Sequence, residues 1–273
     1  MVQFFERKAM KTHSGVTLQI NLAPTDLPHA KHTLPHQLRQ LAGQVDEILL
    51  VLDLHRSHGR YAEGWKERLP GMRQLIQECC TSFHHAHAQE VDYSYDATAA
   101  VSAMFFGGKP VPTKDWIGAP FYAYFYGLYV AKHNYVFHMD SDMMYGGGSQ
   151  TWVEEAVQLL NEQPDALIVN PLPGPPTADG SLRSQILEPE PSTSLAFRAR
   201  TLSTRLFLMD RNRFSSRIKQ LSLVRQSSLK ALRALAEGQP PYHSVEGIFA
   251  RAMLEHNLYR IDFLGSDPGM WSI

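Results

Sequence analysis

"YVFHMDSDMMYGGGSQTWVEEAVQLL", residues 135–160, decides how this chain is read. An apolar run ends in two aspartates one residue apart, Asp140 and Asp142. Gly146, Gly147 and Gly148 follow, and then a segment of helical pattern. A carboxylate pair at the mouth of a buried strand is costly unless a cation or a hydrogen-bond network compensates it. Side chains alternate along an extended segment, so both carboxylates point the same way. Two convergent carboxylates suit Mg2+ or Mn2+, hard ions that take oxygen ligands and share them with substrate phosphates. In an open parallel sheet, ligands bind beyond the carboxyl ends of the strands, at a switch in strand order. The glycines let the backbone turn tightly and approach a ligand. The bland alternative is a turn that the two aspartates simply cap.

Working outward, "VTLQINLA" (16–23), "HTLPHQLRQLAGQ" (32–44) and "VDEILLVLDLH" (45–55) read as strand, helix and a strand buried on both faces. That is a βαβ unit, which builds a parallel sheet with right-handed crossovers. Residues 64–83 read as helix on either side of Pro70, and 90–96 as a strand or its exit loop. Residues 97–113 have no clear pattern, and 116–132 form an apolar helix. After strand 134–140, Thr151 and Glu154 have the spacing of a capping box. Strand 165–173, a Pro-rich connection (171–191), one or two strands within 193–214, a basic helix over 215–237, a helix over 244–257 and a last strand 258–265 complete the chain. The expected class is α/β, with a mostly parallel central sheet flanked by helices.

The bulk numbers exclude several classes. Among 273 residues, 44% are hydrophobic and 19% charged, with 26 Lys plus Arg against 27 Asp plus Glu, a formal net charge of −1. No nucleic-acid partner is expected from that balance. The two cysteines, Cys79 and Cys80, are adjacent, so no disulfide framework is implied and a reducing, cytoplasmic setting fits. The N-terminus lacks a signal-peptide core, and the apolar stretch 116–131 is short and tyrosine-rich for a membrane span. Between Pro191 and Ala236 there are ten Lys or Arg and one acid, Asp210. That segment reads as a solvated helical face or as a surface for phosphates or a membrane.

With "VTLQINLA…LPHQLRQLAGQVDEILLVLDL", "YVFHMDSDMM" and "SVEGIFARAML" in view, the chain resembles the nucleotide-sugar-dependent glycosyltransferases of the GT-A fold, family 2-like. The resemblance implies a single nucleotide-diphospho-sugar transferase domain over 1–273, with 1–142 the nucleotide-binding half and 143–273 the acceptor-binding half. It implies Asp142 as direct metal ligand and Asp140 on the ribose or on the metal through water. Asp53 and Lys114 would contact the nucleotide, His243 would be a third metal ligand, and Glu246 the general base, with Asp210 the second choice. The donor would be a UDP-sugar, the cofactor Mn2+ or Mg2+, and the acceptor a saccharide, lipid-linked or other hydroxyl. Peripheral membrane contact would run through 198–233. The chain departs from the family where "LDLHRS" replaces the usual acidic end of the second strand and Gly247 follows Glu246.

Rival readings are a sugar nucleotidyltransferase, a haloacid-dehalogenase-like phosphohydrolase and a non-catalytic carbohydrate-binding relative. The first usually opens with a glycine-rich phosphate loop, absent near Asn21, and the second carries its D-x-D early in the chain. Of the other residues, His84, His85 and His87 read as a polar loop or helix end, His138 as a ligand contact or, in preference, a buried histidine bonded to backbone, and His256 as structural. Lys114 and Asp115 also fit a surface turn, and Trp271 reads as a residue that stacks on a sugar or folds over the site.

Overall fold

The computed structural model describes residues 15–56, 62–182 and 187–273. Strands β1 (Val16–Leu22) and β2 (Glu47–Leu52) are buried along nearly their whole length and pair in parallel, Leu18 opposite Ile48. The continuous apolar run of 45–55 therefore became a strand covered on both faces, while β1 alternates apolar and polar side chains. β3 (Ala86–Glu90) lies at the edge beyond β2, and β4 (Tyr135–Asp140) runs parallel to β1 on its other side, Asn21 opposite Asp140. The "HHAHAQE" stretch, read as a loop, thus contributes an edge strand. Its polar side chains suit a position with one open side.

Past β4 come β9 (Leu206–Asp210), β6 (Ala166–Pro171), β10 (Tyr259–Phe263), β8 (Ala196–Ala199) and β7 (Glu188–Pro189). Among the described residues the nine-stranded order is β3-β2-β1-β4-β9-β6-β10-β8-β7. β9 and β8 run against their neighbours, and the pairings β1–β2, β1–β4, β2–β3 and β6–β10 are parallel. A small second sheet joins β5 (Tyr145–Gly146) to β11 (Trp271–Ser272). The expected α/β class with a mostly parallel sheet is the observed one.

Helices cover both faces. α1 (Leu27–Leu41), α2 (Trp65–Ser82) and α5 (Trp152–Glu162) pack Leu34, Leu38, Met72, Ile76, Trp152 and Leu160 against Leu18, Ile20 and Phe137. α3 (Tyr95–Phe106), α4 (Tyr122–Val130) and α8 (Val245–Glu255) pack Phe105, Phe106, Phe125 and Phe249 against Val51, Val136 and Phe207. On this second face β1 presents Thr17 and Gln19, polar yet buried. α4 lies close against Gln19 because residue 127 is glycine: a Cβ there would lie 2.2 Å from the Gln19 amide nitrogen.

Several local expectations are corrected. α2 runs unbroken through Pro70, whose missing N–H leaves only the carbonyl of residue 66 without its helical donor. α3 occupies part of the stretch without pattern, opened by Ser94, which accepts from the Ala97 N–H, and closed by Gly107 in the left-handed region. The apolar helix starts at Tyr122 rather than 116, because the Asp115 carboxylate accepts from the N–H groups of Ile117 and Ala119 and holds a turn there. Thr151 makes no capping box; its hydroxyl donates to Glu155 at 2.6 Å.

The basic helix expected over 215–237 is two helices, α6 (Arg211–Arg217) and α7 (Ser228–Ala236). The chain between them bonds elsewhere, Leu221 N–H to Phe105 and Gln226 N–H to Pro241. Much of the positive charge also has internal partners. Arg211 donates to the carbonyls of Leu128 and His133, Arg213 to those of Gln163 and Ala166, and Arg217 to Asp165. No helix among the described residues is long and apolar enough to cross a membrane.

Candidate functional site

The chain passes from β1 to β2 and β3 on one side and returns to β4 on the other, so the order switches between β1 and β4. At the carboxyl ends of β1, β2 and β4 lies a cavity of about 500 Å³. Asp53, Lys114, Asp140 and Asp142 all line it, so four of the six residues expected at the site share one wall system. Glu246 and His243 are not among its lining residues.

At the β2 end, Asp53 and Lys114 form a buried ion pair, 2.8 Å apart, with side chains 6% and 5% exposed. A buried pair is tolerated when its remaining hydrogen-bonding capacity is met. Here the other Asp53 oxygen accepts from the Tyr93 hydroxyl at 2.7 Å and the His55 N–H at 2.8 Å. Burial, and then the Asp53 charge, push the Tyr93 hydroxyl far above its ordinary value, so it remains a donor. Trp65 and His55 bring rings to the same cavity.

At the β4 end, the Tyr124 hydroxyl donates to both oxygens of Asp140, at 2.8 and 3.0 Å. Burial and the Asp140 charge hold that hydroxyl well above its usual value. Asp142 is half-exposed, and one of its oxygens accepts from Arg205 Nη2 at 2.9 Å. His138 is fully buried between Phe207 and Tyr124, with ring centroids 4.8 and 4.9 Å away. It is not bonded to backbone as expected: neither ring nitrogen has a hydrogen-bond partner among the described residues, and Asp140 Oδ1 stands 3.6 Å from Nε2.

The aspartate loop is fastened from below by one stripe of α1. The ring of His29 bonds the Ser141 hydroxyl at 3.1 Å, Thr33 donates to the Ser141 carbonyl, and Gln37 donates to the carbonyls of Asp140 and Met143 at 3.0 and 2.9 Å. These residues are spaced four apart and so share a helix face. Further along, Gln40 and Gln44 both donate to the Ser149 carbonyl. This clasp was not found in the sequence, although a polar stripe at helical spacing on an otherwise buried helix is a readable sign of it.

The glycine stretch turns tightly, as expected, and part of it lies against another segment of the chain. Gly147 has a φ of 95°, and a Cβ there would lie 2.2 Å from the Gly269 carbonyl. The Trp271 ring lies against Gly146 as β11 pairs with β5. The close approach is therefore made by the chain's own segment 269–272.

The remaining residues take other places. Asp210 caps α6, accepting from the N–H groups of Asn212 and Arg213. Glu246 is exposed in the first turn of α8; desolvation raises its carboxyl above the ordinary value and Arg260 moderates the rise. His243 lies against Gly247. Beside α8, Arg260 and Asp262 form a second buried pair, 2.7 Å apart. Burial pushes the Asp262 carboxyl up to about 6 despite Arg260. One oxygen of Asp262, Arg260 Nε and Asn170 Oδ1 are buried without hydrogen-bond partners among the described residues.

As a donor set, Asp140 and Asp142 offer carboxylate oxygens, and no group of three or more His, Cys, Asp or Glu side chains converges among the described residues. That set suits Mg2+ or Mn2+, which bind through one or two carboxylates and complete their shell with water and phosphate oxygens.

No protein-family model matches the chain, and no curated protein matches it in sequence. Among solved structures it is similar to the mannosyltransferase PcManGT of Pyrobaculum calidifontis in complex with GDP-Man and Mn2+, at 13% identity and a TM-score of 0.43, over 78% of this chain and 49% of that one. It is similar to S. aureus TarS 1–349, at 12% identity and 0.41, over 90% and 57%. The mouse xyloside xylosyltransferase 1 matches at 15% identity and 0.37, over 90% and 83%. The chain spans about half the length of the mannosyltransferase. At such identities and scores these likenesses decide nothing by themselves; the site has to carry the reading.

Proposed function

We propose that the chain is a glycosyltransferase of the GT-A kind, moving a sugar from a nucleoside-diphosphate donor, UDP-linked, to an acceptor hydroxyl. The observation that carries this reading is Asp140 and Asp142 on the wall of one cavity with the Asp53–Lys114 pair, at the switch in strand order. Sites of that kind bind nucleotides beyond the carboxyl ends of the strands. In this reading residues 1–142 hold the nucleotide and 143–273 the acceptor.

The roles follow from chemistry. Asp53 and Lys114 offer an acceptor and a donor to the base or ribose, and Trp65 and His55 offer faces for a ring. Asp142 and Asp140 would hold Mn2+ or Mg2+, with water and phosphate oxygens completing the shell rather than His243, which lies outside the cavity lining. When bound, the ion supplies Lewis-acid stabilisation of the departing diphosphate. Tyr124 fixes Asp140 so that its oxygens face the cavity in one orientation. Glu246 is the proposed base. Its raised carboxyl moves toward the range in which a base works near neutral pH. Attack from the α8 side, opposite the diphosphate, gives inversion at the anomeric carbon.

The acceptor is a saccharide, lipid-linked or other hydroxyl. A membrane-borne acceptor at a cytoplasmic face is favoured by α7, where Leu229, Leu232 and Leu235 are 82, 64 and 58% exposed beside Lys230 and Arg233. An exposed apolar arc flanked by cations suits an anionic lipid surface. Binding to phosphatidylglycerol vesicles that Leu232→Glu leaves unchanged would remove α7 from this role.

Release of nucleoside diphosphate from UDP-sugars and GDP-sugars with added Mn2+ tests the function. The wild type is expected to turn over, and Asp142→Ala to lose metal-dependent turnover while keeping its melting temperature. Glu246→Gln is expected to slow the chemical step by about a hundredfold or more with donor affinity retained. Full activity of Asp142→Ala would defeat the proposal.

A further inference from the structure

We propose that Arg205 is a phosphate-binding residue that exchanges ligands. In the free protein its guanidinium holds Asp142, and it turns to the donor's diphosphate when nucleotide and cation arrive together. This rests on the transferase reading above.

The backbone fixes where Arg205 can act. It directly precedes β9, whose Leu206 pairs with Met139 of β4, and its carbonyl accepts from the Asp140 N–H at 2.8 Å. The residue before β9 is thereby tied to the residue that ends β4, and a long side chain rooted there stays within reach of the aspartate loop. The guanidinium lines the cavity and meets Asp142 Oδ2 at 2.9 Å.

The cavity holds two cation–carboxylate pairs of opposite character. Lys114–Asp53 is buried and shares its carboxylate with two further donors, so it is locked. Arg205–Asp142 has side chains 52% and 46% exposed. Exposed ion pairs add little stability and so exchange readily. A guanidinium also presents a planar fork of donors that matches phosphate as well as it matches carboxylate.

Competition follows. Arg205 and a divalent cation both seek the oxygens of Asp142, so Arg205 weakens cation uptake by the free protein. Once a diphosphate is present, the guanidinium has a second anionic partner and Asp142 is released to the cation. Arg205 thus opposes the cation alone and favours the cation–diphosphate pair. Binding linkage requires the effect to be reciprocal.

The test compares wild type, Arg205→Ala and Arg205→Lys for Mn2+ binding without nucleotide, read by the free-Mn2+ electron paramagnetic resonance signal. UDP and GDP binding with Mn2+ present is read by calorimetry. Arg205→Ala is expected to bind Mn2+ alone about threefold to fivefold more tightly, and the better nucleotide with Mn2+ about tenfold more weakly. Arg205→Lys should fall between on nucleotide binding. Melting temperatures equal to wild type within a degree or so show that the variants are folded. Shifts of the same sign in both assays, or an unchanged Mn2+ affinity, overturn the proposal while leaving the transferase reading standing. A wild type that binds neither Mn2+ nor either nucleotide overturns both.

Discussion

Asp53 and Asp142 are both carboxylates at strand ends, yet one is sealed by Lys114, Tyr93 and a backbone N–H, and the other is half-exposed and pairs with Arg205. The sealed one is suited to reading a ligand's shape and the open one to changing partners. Asp262 is a third case. Its folded value of about 6 lies above the ordinary 3.8, because burial penalises the charged form more than Arg260 relieves it. The folded state therefore holds this proton more tightly than the unfolded chain does. Its contribution is complete below about pH 4 and is lost as pH rises through about 6, a span on the order of 3 kcal/mol. Denaturant unfolding from pH 4 to 7 should show that loss in the wild type and not in Asp262→Asn. Parallel curves would mean that Asp262 does not titrate in this window.

Among the elements, α1 holds the aspartate loop in place and also brings His29 to the cavity wall. Its polar stripe His29, Thr33 and Gln37 supplies hydrogen bonds to residues 140–143, more than a hundred positions away in sequence. Gln37→Leu removes two donors and leaves two carbonyls short of partners, a loss of about 1–3 kcal/mol. Amide hydrogen exchange of residues 140–149 is expected to quicken in that variant more than exchange in β1 and β2; a uniform change would mean the clasp is not local. The aspartate pair was legible because a D-x-D closing an apolar run is a local pattern. The clasp was not, since its acceptors lie across the chain. α3 was missed because its alanine-rich run has no charged face to set a period, and only Ser94 and Gly107 mark its ends. The single basic helix was wrongly joined because the break at 218–227 is made by bonds to Phe105 and Pro241, which no local window contains.

For the whole molecule, the strand order β3-β2-β1-β4 creates the opening at the switch between β1 and β4. The residues expected at the nucleotide end meet there, whereas Glu246 stands on α8, outside that cavity. Secondary structure follows local period, but the distance between two ends of a sheet depends on how many strands lie between them. β9, inserted between β4 and β6, sets that spacing and could be read only as one of one or two strands.

The most direct test of the central claim is a thermal melt of the wild-type chain with UDP-sugars and GDP-sugars, each with and without Mn2+. A ligand that binds only the folded state raises its apparent stability. Mn2+ alone is expected to shift the melt little, because Arg205 occupies Asp142, and nucleotide sugar with Mn2+ to raise it by several degrees, a rise lost in Asp142→Ala. An equal melt under every condition, or an equal rise in Asp142→Ala, would contradict the account.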